Sequence, residues 1–150
     1  MKTKVRYGLI AAFFIWPLLV RAEGFDPTPY RGKVVYLDFW ASWCSPCLQS
    51  FPWMNAMQAK YGKAGLVIIA VNVDRQRQAA DAFLHKTSPN FTVTYDPDNT
   101  LFEAHQLIGM PTALIFDRRG VLRSRHVGWS AEQRETYEAE IRALLREKVR

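Results

Sequence analysis

The only two cysteines of this 150-residue chain, Cys44 and Cys47, are separated by Ser45 and Pro46. In disulfide exchange a thiolate attacks, and a second thiol close by can release the mixed disulfide that forms. A four-residue loop gains little stability from a cross-link, because the entropic benefit grows with loop length. The pair is therefore predicted to perform redox chemistry and not to staple the fold.

The elements around the pair are of the kind that activate a thiol. Lys33–Trp40 is rich in β-branched and aromatic residues, which predicts a strand. Apolar residues recur at helical spacing over Pro46–Tyr61. Cys44 then falls where a helix begins, and the free N–H groups there stabilise an anion. This spacing predicts that Cys44 attacks a partner disulfide and that Cys47, one turn further on, resolves the intermediate.

Asp38 lies inside the predicted apolar strand, six residues before Cys44. A carboxylate in such a strand is costly unless it is neutral, paired or useful. Buried under the active site, it would have a raised pKa and could accept the proton of Cys47 during resolution. At the edge of the sheet it would only face water. We prefer the first interpretation.

The rest of the chain alternates strands and helices. Strands are predicted at residues 66–73, 91–95, 112–116 and 121–127. Helices are predicted at residues 75–86 and 98–107, and a last one from Ser130, where Gln133 would complete a capping box. Helix 75–86 is expected to bury Ala79, Ala82 and Phe83. The pattern predicts an α/β sheet with an antiparallel end.

The first 22 residues have the pattern of an export signal. Three basic residues precede a short apolar run, Gly8–Val20, and a small-x-small cleavage sequence follows it. A membrane-spanning helix needs roughly 20 apolar residues, more than this run offers. Residues 1–22 are therefore predicted to be a cleaved signal peptide and residues 23–150 the folded domain. An uncleaved N-terminal anchor is the alternative.

The charge of the chain depends on this segment. The formal net charge is +6, from 20 basic and 14 acidic residues. The first 22 residues hold four basic residues and no acidic one, so the rest keeps 16 against 14, a net charge of +2. No basic cluster marks one face, and nucleic acid is not an expected partner. Arg118, Arg119, Arg123 and Arg125 are expected in a solvated hairpin turn and on the outward side of a strand.

No cofactor or metal site is expected. A structural zinc site would need two further ligands beside the cysteines, and His85, His105 and His126 lack ligand-like spacing. Two soft sulfurs could still hold Cu(I). A redox-inert copper carrier therefore remains as an alternative function of a different class.

Two segments, LDFWASWCSPC at residues 37–47 and GMPT at residues 109–112, resemble the thioredoxin superfamily. The resemblance covers residues 33–130 and implies a thioredoxin fold, a central mixed β-sheet flanked by helices. It implies that Cys44 attacks, that Cys47 resolves and that Asp38 is the buried acid.

The resemblance also assigns residues around the disulfide. Pro111 would be a cis-proline facing the sulfurs, and the backbone of Met110 would be free to pair with an extended substrate segment. Trp43 and Pro46 would help to bind or position the substrate. Trp129 could contact a partner beside the site or pack in the core.

Two departures from ordinary thioredoxins indicate a branch of the superfamily. Ala70 stands where thioredoxins have a lysine paired with the buried acid, and an added helix and strand occupy residues 75–95. Both features, with the export signal, are similar to TlpA/ResA-like and cytochrome c maturation thioredoxins of the bacterial periplasm. This resemblance implies a monomeric reductase of protein disulfides, kept reduced by a membrane electron donor. Its candidate partners are apocytochrome c, its maturation factors or a copper-centre assembly protein. A disulfide-donating oxidant is the alternative.

Overall fold

The computed structural model describes residues 24–148, in which a five-stranded sheet carries helices on both faces. The strands are β1 (Val34–Trp40), β2 (Leu66–Asn72), β3 (Thr92–Tyr95), β4 (Thr112–Phe116) and β5 (Leu122–Val127). The helices are α1 (Ser45–Tyr61), α2 (Arg77–Thr87), α3 (Thr100–Ala104) and α4 (Arg134–Arg146), with short 3₁₀ turns at Thr28–Tyr30, Gly62–Ala64 and Ala131–Gln133. The predicted signal peptide lies outside the described residues.

The strands run in the order β3-β2-β1-β4-β5. Strands β1, β2 and β3 are parallel, whereas β4 and β5 are antiparallel to their neighbours. All seven residues of the central strand β1 are buried, because both faces of the sheet are covered there. The mixed sheet and the helix and strand inserted after β2 confirm the predicted thioredoxin fold. Among residues 24–148, no helix combines the length and apolar character needed to cross a membrane.

One face of the sheet packs against α1 and α4. The ring of Tyr36 on β1 lies 5.7 Å from that of Trp53 on α1, and the ring of Trp40 lies 5.0 Å from that of Phe51. Trp129 packs against this layer, with its ring 4.9 Å from that of Trp53 and tilted against it. Of the two roles predicted for Trp129, the structure therefore favours core packing.

Helix α2 also covers this face, but with a different set of residues from the predicted one. Phe83 is buried as expected, and its ring lies 4.5 Å from that of Trp40. The prediction that Ala79 and Ala82 point inward is wrong, because both are exposed and Ala80 is buried instead. Burial of the large Phe83 ring sets the rotation of the helix, because it removes more apolar surface from water than burial of Ala79 and Ala82 would.

The predicted solvated position of Arg118, in the hairpin between β4 and β5, is also wrong. Its guanidinium donates hydrogen bonds to the carbonyl oxygens of Gly32 (2.6 Å), Ala64 (3.0 Å) and Leu145 (2.9 Å). These acceptors belong to the segment before β1, the turn before β2 and the last turn of α4. Arg118 therefore joins three segments that are distant in the sequence.

The predicted capping box at the start of the last helix is absent. Ser130 is extended and its side chain makes no capping hydrogen bond. The N–H of Gln133, which the hydroxyl would have received, instead donates to the carbonyl oxygen of Ser130 at 3.3 Å. A 3₁₀ turn therefore precedes α4 and replaces the side-chain cap.

Candidate active site

The two cysteines lie where β1 leads into α1 and are joined by a disulfide bond with an S–S distance of 2.00 Å. Cys44 is the N-cap residue of α1, and its Sγ accepts a hydrogen bond from the N–H of Cys47 at 3.2 Å. Pro46 lies in the first turn, where its missing N–H leaves nothing unpaired. The helix thus presents free N–H groups to the Cys44 sulfur, a setting that stabilises a thiolate.

The two sulfurs differ in their access to partners. Cys47 is fully buried, whereas Cys44 keeps 4% of its surface exposed. The adjacent Trp43 is 72% exposed and stands out from the surface beside the disulfide. This difference supports the predicted order, in which Cys44 attacks the partner disulfide and the buried Cys47 then resolves the mixed disulfide.

Pro111 lies at the same edge of the sheet as the disulfide. The register pairs Phe39 with Thr112, which places Pro111 next to the end of β1 from which the Cys44 loop departs. The Met110–Pro111 peptide bond is cis, as the resemblance implies. Within residues 24–148, the backbone N–H and C=O of Met110 make no hydrogen bond. Both groups are therefore available to an incoming strand.

Asp38 is a buried carboxyl on β1, the strand that leads into the Cys44 loop. It shares its face of β1 with Tyr36 and Trp40 and therefore points into the layer that contains α1. The side chain is 2% exposed, and its Oδ2 has no hydrogen-bond partner within the described residues. Burial raises the pKa of Asp38 well above its ordinary value of 3.8. Its neighbours across the strands are Ala70 and Ala113, so neither supplies a cation. The interpretation as a water-facing edge residue is wrong.

Comparison with known proteins assigns the family. The Redoxin family model matches residues 22–141, a range that holds both cysteines, Asp38 and Pro111. The chain belongs to the Redoxin family. Together with the relatives below, this makes it a thioredoxin-like thiol:disulfide oxidoreductase, an enzyme that acts on protein substrates through a Cys-x-x-Cys pair.

Relatives of this Redoxin protein carry the same type of activity in their names. It is 32% identical over 121 residues to the thiol-disulfide oxidoreductase ResA of Geobacillus kaustophilus, covering 79% of this chain and 68% of that protein. It is 31% identical over 137 residues to ResA of Bacillus cereus, covering 91% and 79%. A crystal structure from Chlorobium tepidum, assigned as the thiol:disulfide interchange protein DsbE, matches with a TM-score of 0.77 and 46% identity, covering 79% and 84%.

The Redoxin site contains an anchor that sequence reasoning missed. Asp74, just beyond β2, accepts hydrogen bonds from the N–H of Ser42 (2.8 Å), the hydroxyl of Ser42 (3.0 Å) and the amide of Asn72 (2.7 Å). This carboxylate ties the loop that carries Trp43 and Cys44 to the end of β2. Polar residues directly after a buried strand, at the edge where the site lies, were the signal available in the sequence.

Replacing Asp74 by alanine is expected to loosen this loop. The change removes the acceptor of the half-buried N–H of Ser42 and of the buried amide of Asn72, and an unsatisfied buried polar group costs about 1–3 kcal/mol. We expect urea unfolding to show this loss and disulfide reduction to slow, because the loop positions Cys44. The matched control is Ser42→Ala, which removes only the hydroxyl bond and should have the smaller effect on both. An equal effect of the two variants would contradict the anchoring role.

Two grooves flank Trp43 in the Redoxin site. The α3 groove, of 690 Å³, runs between the end of β2 and α3 and is lined by Met110, Phe102 and Leu107 among others. The α2 groove, of 410 Å³, lies between the start of α1 and α2. A substrate segment that pairs with Met110 would lie along the α3 groove. Trp43, Ser42 and Ala79 line both grooves, and of these Trp43 has the largest exposed side chain.

Proposed function

We propose that the protein is a periplasmic reductase that transfers two electrons from a Cys44–Cys47 dithiol to disulfides of partner proteins. The observation that carries this proposal is Asp38, a buried carboxyl of raised pKa that faces the layer of α1. A carboxyl of this kind suits acceptance of a thiol proton near neutral pH. Pro46 directly before Cys47, as in the reducing relatives that the sequence resembles, supports reduction as the direction.

In the proposed cycle the Cys44 thiolate attacks one sulfur of a substrate disulfide. The other substrate sulfur leaves as a thiolate and takes a proton from water. Cys47 then gives its proton to Asp38 and attacks the Cys44 sulfur, so that the bond between Cys44 and the substrate breaks. The second substrate thiolate leaves and takes a proton from water, and Asp38 returns its proton to water before the next turnover. Two electrons have passed to the substrate, and the protein keeps the disulfide.

Trp43, Pro46, Met110 and Pro111 are proposed to position the substrate in this cycle. The free backbone groups of Met110 can add the substrate segment as a further short strand. The buried Pro111 closes the floor beside the disulfide, and its carbonyl is already engaged by the N–H of Gly128 at 2.8 Å. Strand addition would therefore begin at Met110.

The cellular setting is part of the proposal. The basic and apolar pattern of residues 1–22 supports export with a cleaved signal peptide, leaving residues 23–150 as a monomeric domain. A membrane electron donor would return the disulfide to the dithiol. The similarity to TlpA/ResA-like and cytochrome c maturation proteins supports apocytochrome c, its maturation factors or a copper-centre assembly protein as substrates.

Insulin reduction tests the activity. With dithiothreitol as the electron source, the mature chain is expected to precipitate insulin chains faster than dithiothreitol alone. The Cys44→Ser variant should give only the background rate, because it lacks the nucleophile. A redox-inert copper carrier would give the background rate in the wild type as well, and that result would reject the proposal.

The reduction potential tests the direction. Equilibration of the Cys44–Cys47 pair in glutathione buffers is expected to give a value near that of thioredoxin, about −270 mV. A value near that of a disulfide donor, about −120 mV, would instead assign the protein as an oxidant. Substrates can then be trapped as mixed disulfides with the Cys47→Ala variant, which cannot resolve them, and identified by mass spectrometry after purification from the periplasm.

A further inference from the structure

The α2 groove borders the reactive cysteine. Cys44 lines this groove and, among the described residues, does not line the α3 groove. Of the two grooves, the α2 groove is therefore the one that borders Cys44, and a substrate segment bonded to Cys44 can lie along it. The residues next to the bonded sulfur in the substrate chain have to follow the groove or project away from it.

The walls of the α2 groove are mostly apolar. Leu48 on α1 and Phe83 on α2 form its floor, and Trp43 forms one side. Ala79 and Ala82 complete the wall on α2, and both are exposed. Because alanine carries a single methyl group, these positions leave an apolar space where a longer side chain would fill it. The groove can therefore accept an apolar side chain from a partner.

The α2 groove carries a positive charge and no negative one among the described residues that line it. Of the described residues that line it, Lys86 at the end of α2 is charged, and no carboxylate is present. A partner with an acidic side chain at this end would gain an opposite charge, whereas a basic one would be repelled. Charge complementarity thus adds a second requirement to the apolar one.

We propose that the α2 groove binds the substrate segment beside the reacting cysteine, with an apolar residue between Ala82 and Trp43 and an acidic residue facing Lys86. This inference rests on the proposed attack of Cys44 on a substrate disulfide. The proposed occupant is the disulfide-bearing substrate, and the electron donor is the alternative that the experiment below separates from it. The α3 groove and Met110 hold the other side of the same segment, so the substrate straddles Trp43.

The experiment follows single turnovers of the prereduced full-length mature protein. The probes are two cyclic disulfide peptides that differ at one position: one has Leu-Glu next to its first cysteine and the other has Leu-Lys. A small neutral disulfide, 2-hydroxyethyl disulfide, reports on the dithiol itself. The readout is the second-order rate constant for oxidation of the Cys44–Cys47 pair.

Ala82→Leu fills the groove with the protein's own side chain. The rate with the Leu-Glu peptide is expected to fall about tenfold, the lower end of what an apolar pocket contact is worth in specificity. The rate with 2-hydroxyethyl disulfide should stay unchanged. Ala143→Leu on α4, an exposed alanine away from the site, is the matched control and should alter neither rate. No fall with the peptide, or an equal fall with the small disulfide, would overturn the proposal.

Lys86→Glu tests the charge. The wild type is expected to prefer the Leu-Glu over the Leu-Lys peptide by about three- to fivefold, the upper part of the range of an exposed ion pair, and the variant should reverse the order. Because both rates share the same Cys44, their ratio is independent of any change in its nucleophilicity. Lys63→Glu, in the turn before β2, is the control and should keep the wild-type ratio. An unchanged ratio in Lys86→Glu would overturn the acidic specificity.

The same variants separate this proposal from its alternatives. If Ala82→Leu slows re-reduction of the oxidised protein by reduced thioredoxin but leaves peptide reduction unchanged, the groove serves the electron donor and the proposal is wrong. If the wild type reduces neither peptide nor 2-hydroxyethyl disulfide, the proposed function itself fails. If the wild type reduces both probes and Ala82→Leu reduces the Leu-Glu peptide at the wild-type rate, the proposed function stands and only the binding role of the α2 groove is rejected.

Discussion

The Asp38→Asn variant is expected to resolve its mixed disulfide about 10²- to 10⁴-fold more slowly than the wild type at neutral pH, the range of a positioned general base. The amide has nearly the same shape as the carboxyl but cannot accept the proton of Cys47. The first attack by Cys44 should change little, so the mixed disulfide with the substrate accumulates. Acid quenching, alkylation and mass spectrometry measure this intermediate directly. Unchanged resolution would show that Cys47 loses its proton elsewhere.

The same variant should change the pH dependence of stability. Burial raises the pKa of Asp38 in the folded state above its unfolded value of about 3.8. Between the two pKa values the folded protein binds the extra proton, so the free energy of unfolding falls as the pH rises through this window. The slope reaches about 1.4 kcal/mol per pH unit for one proton. Asp38→Asn lacks this fall and should be the more stable protein at neutral pH.

Asp117 provides a matched control for both measurements. It is also buried, but it lies in the hairpin at the opposite end of the sheet. Burial would raise the pKa of Asp117, yet hydrogen bonds from Val121, Arg119 and Arg123 hold it below its ordinary value. Its stabilisation is present above pH about 3.8 and is lost as the pH falls through the folded pKa. Asp117→Asn should therefore destabilise the neutral protein without slowing resolution.

The part of the site that could be predicted is the part encoded by neighbouring residues. Cys44, Cys47 and Asp38 belong to one strand, one turn and one helix, and strand parity together with helix spacing decides where they point. Pro111 is distant in sequence, and it was the family resemblance that linked it to the pair. The neighbour of Asp38 across the sheet, Ala70, followed from the same resemblance, and the register confirms it.

The features that could not be predicted depend on tertiary contacts. Helix α2 has apolar residues on more than one side, and the contacts of Phe83 with Trp40 and Phe51 turn Ala79 and Ala82 outward. The acceptors of Arg118 are main-chain carbonyl oxygens. Every residue has one, so no sequence pattern marks these three as its partners. Both errors concern residues whose surroundings come from distant parts of the chain.

The Arg118→Met variant is expected to lose about 3–5 kcal/mol of stability. Three hydrogen bonds from a charged donor disappear, each worth about 1.5–3 kcal/mol, although water can replace part of the most exposed one. The three acceptors lie in the segment before β1, the turn before β2 and the last turn of α4. Loss of these hydrogen bonds therefore weakens three places in the fold at once. Because native domains are stable by only about 5–15 kcal/mol, urea unfolding should show a large shift.

Two further variants separate the geometry of this contact from its charge. Arg119→Met, in the same hairpin, removes an arginine that is 59% exposed and pairs with Asp117. It should cost less than Arg118→Met, because Arg123 and two backbone N–H groups still donate to the Asp117 carboxylate. Arg118→Lys keeps the charge but lacks the planar fork that reaches three carbonyls, so it should recover only part of the loss. Full recovery by lysine would mean that charge near the C-terminus of α4 is sufficient. Because the hairpin lies at the end of the sheet opposite the disulfide, all three variants should reduce insulin at the wild-type rate while they remain folded.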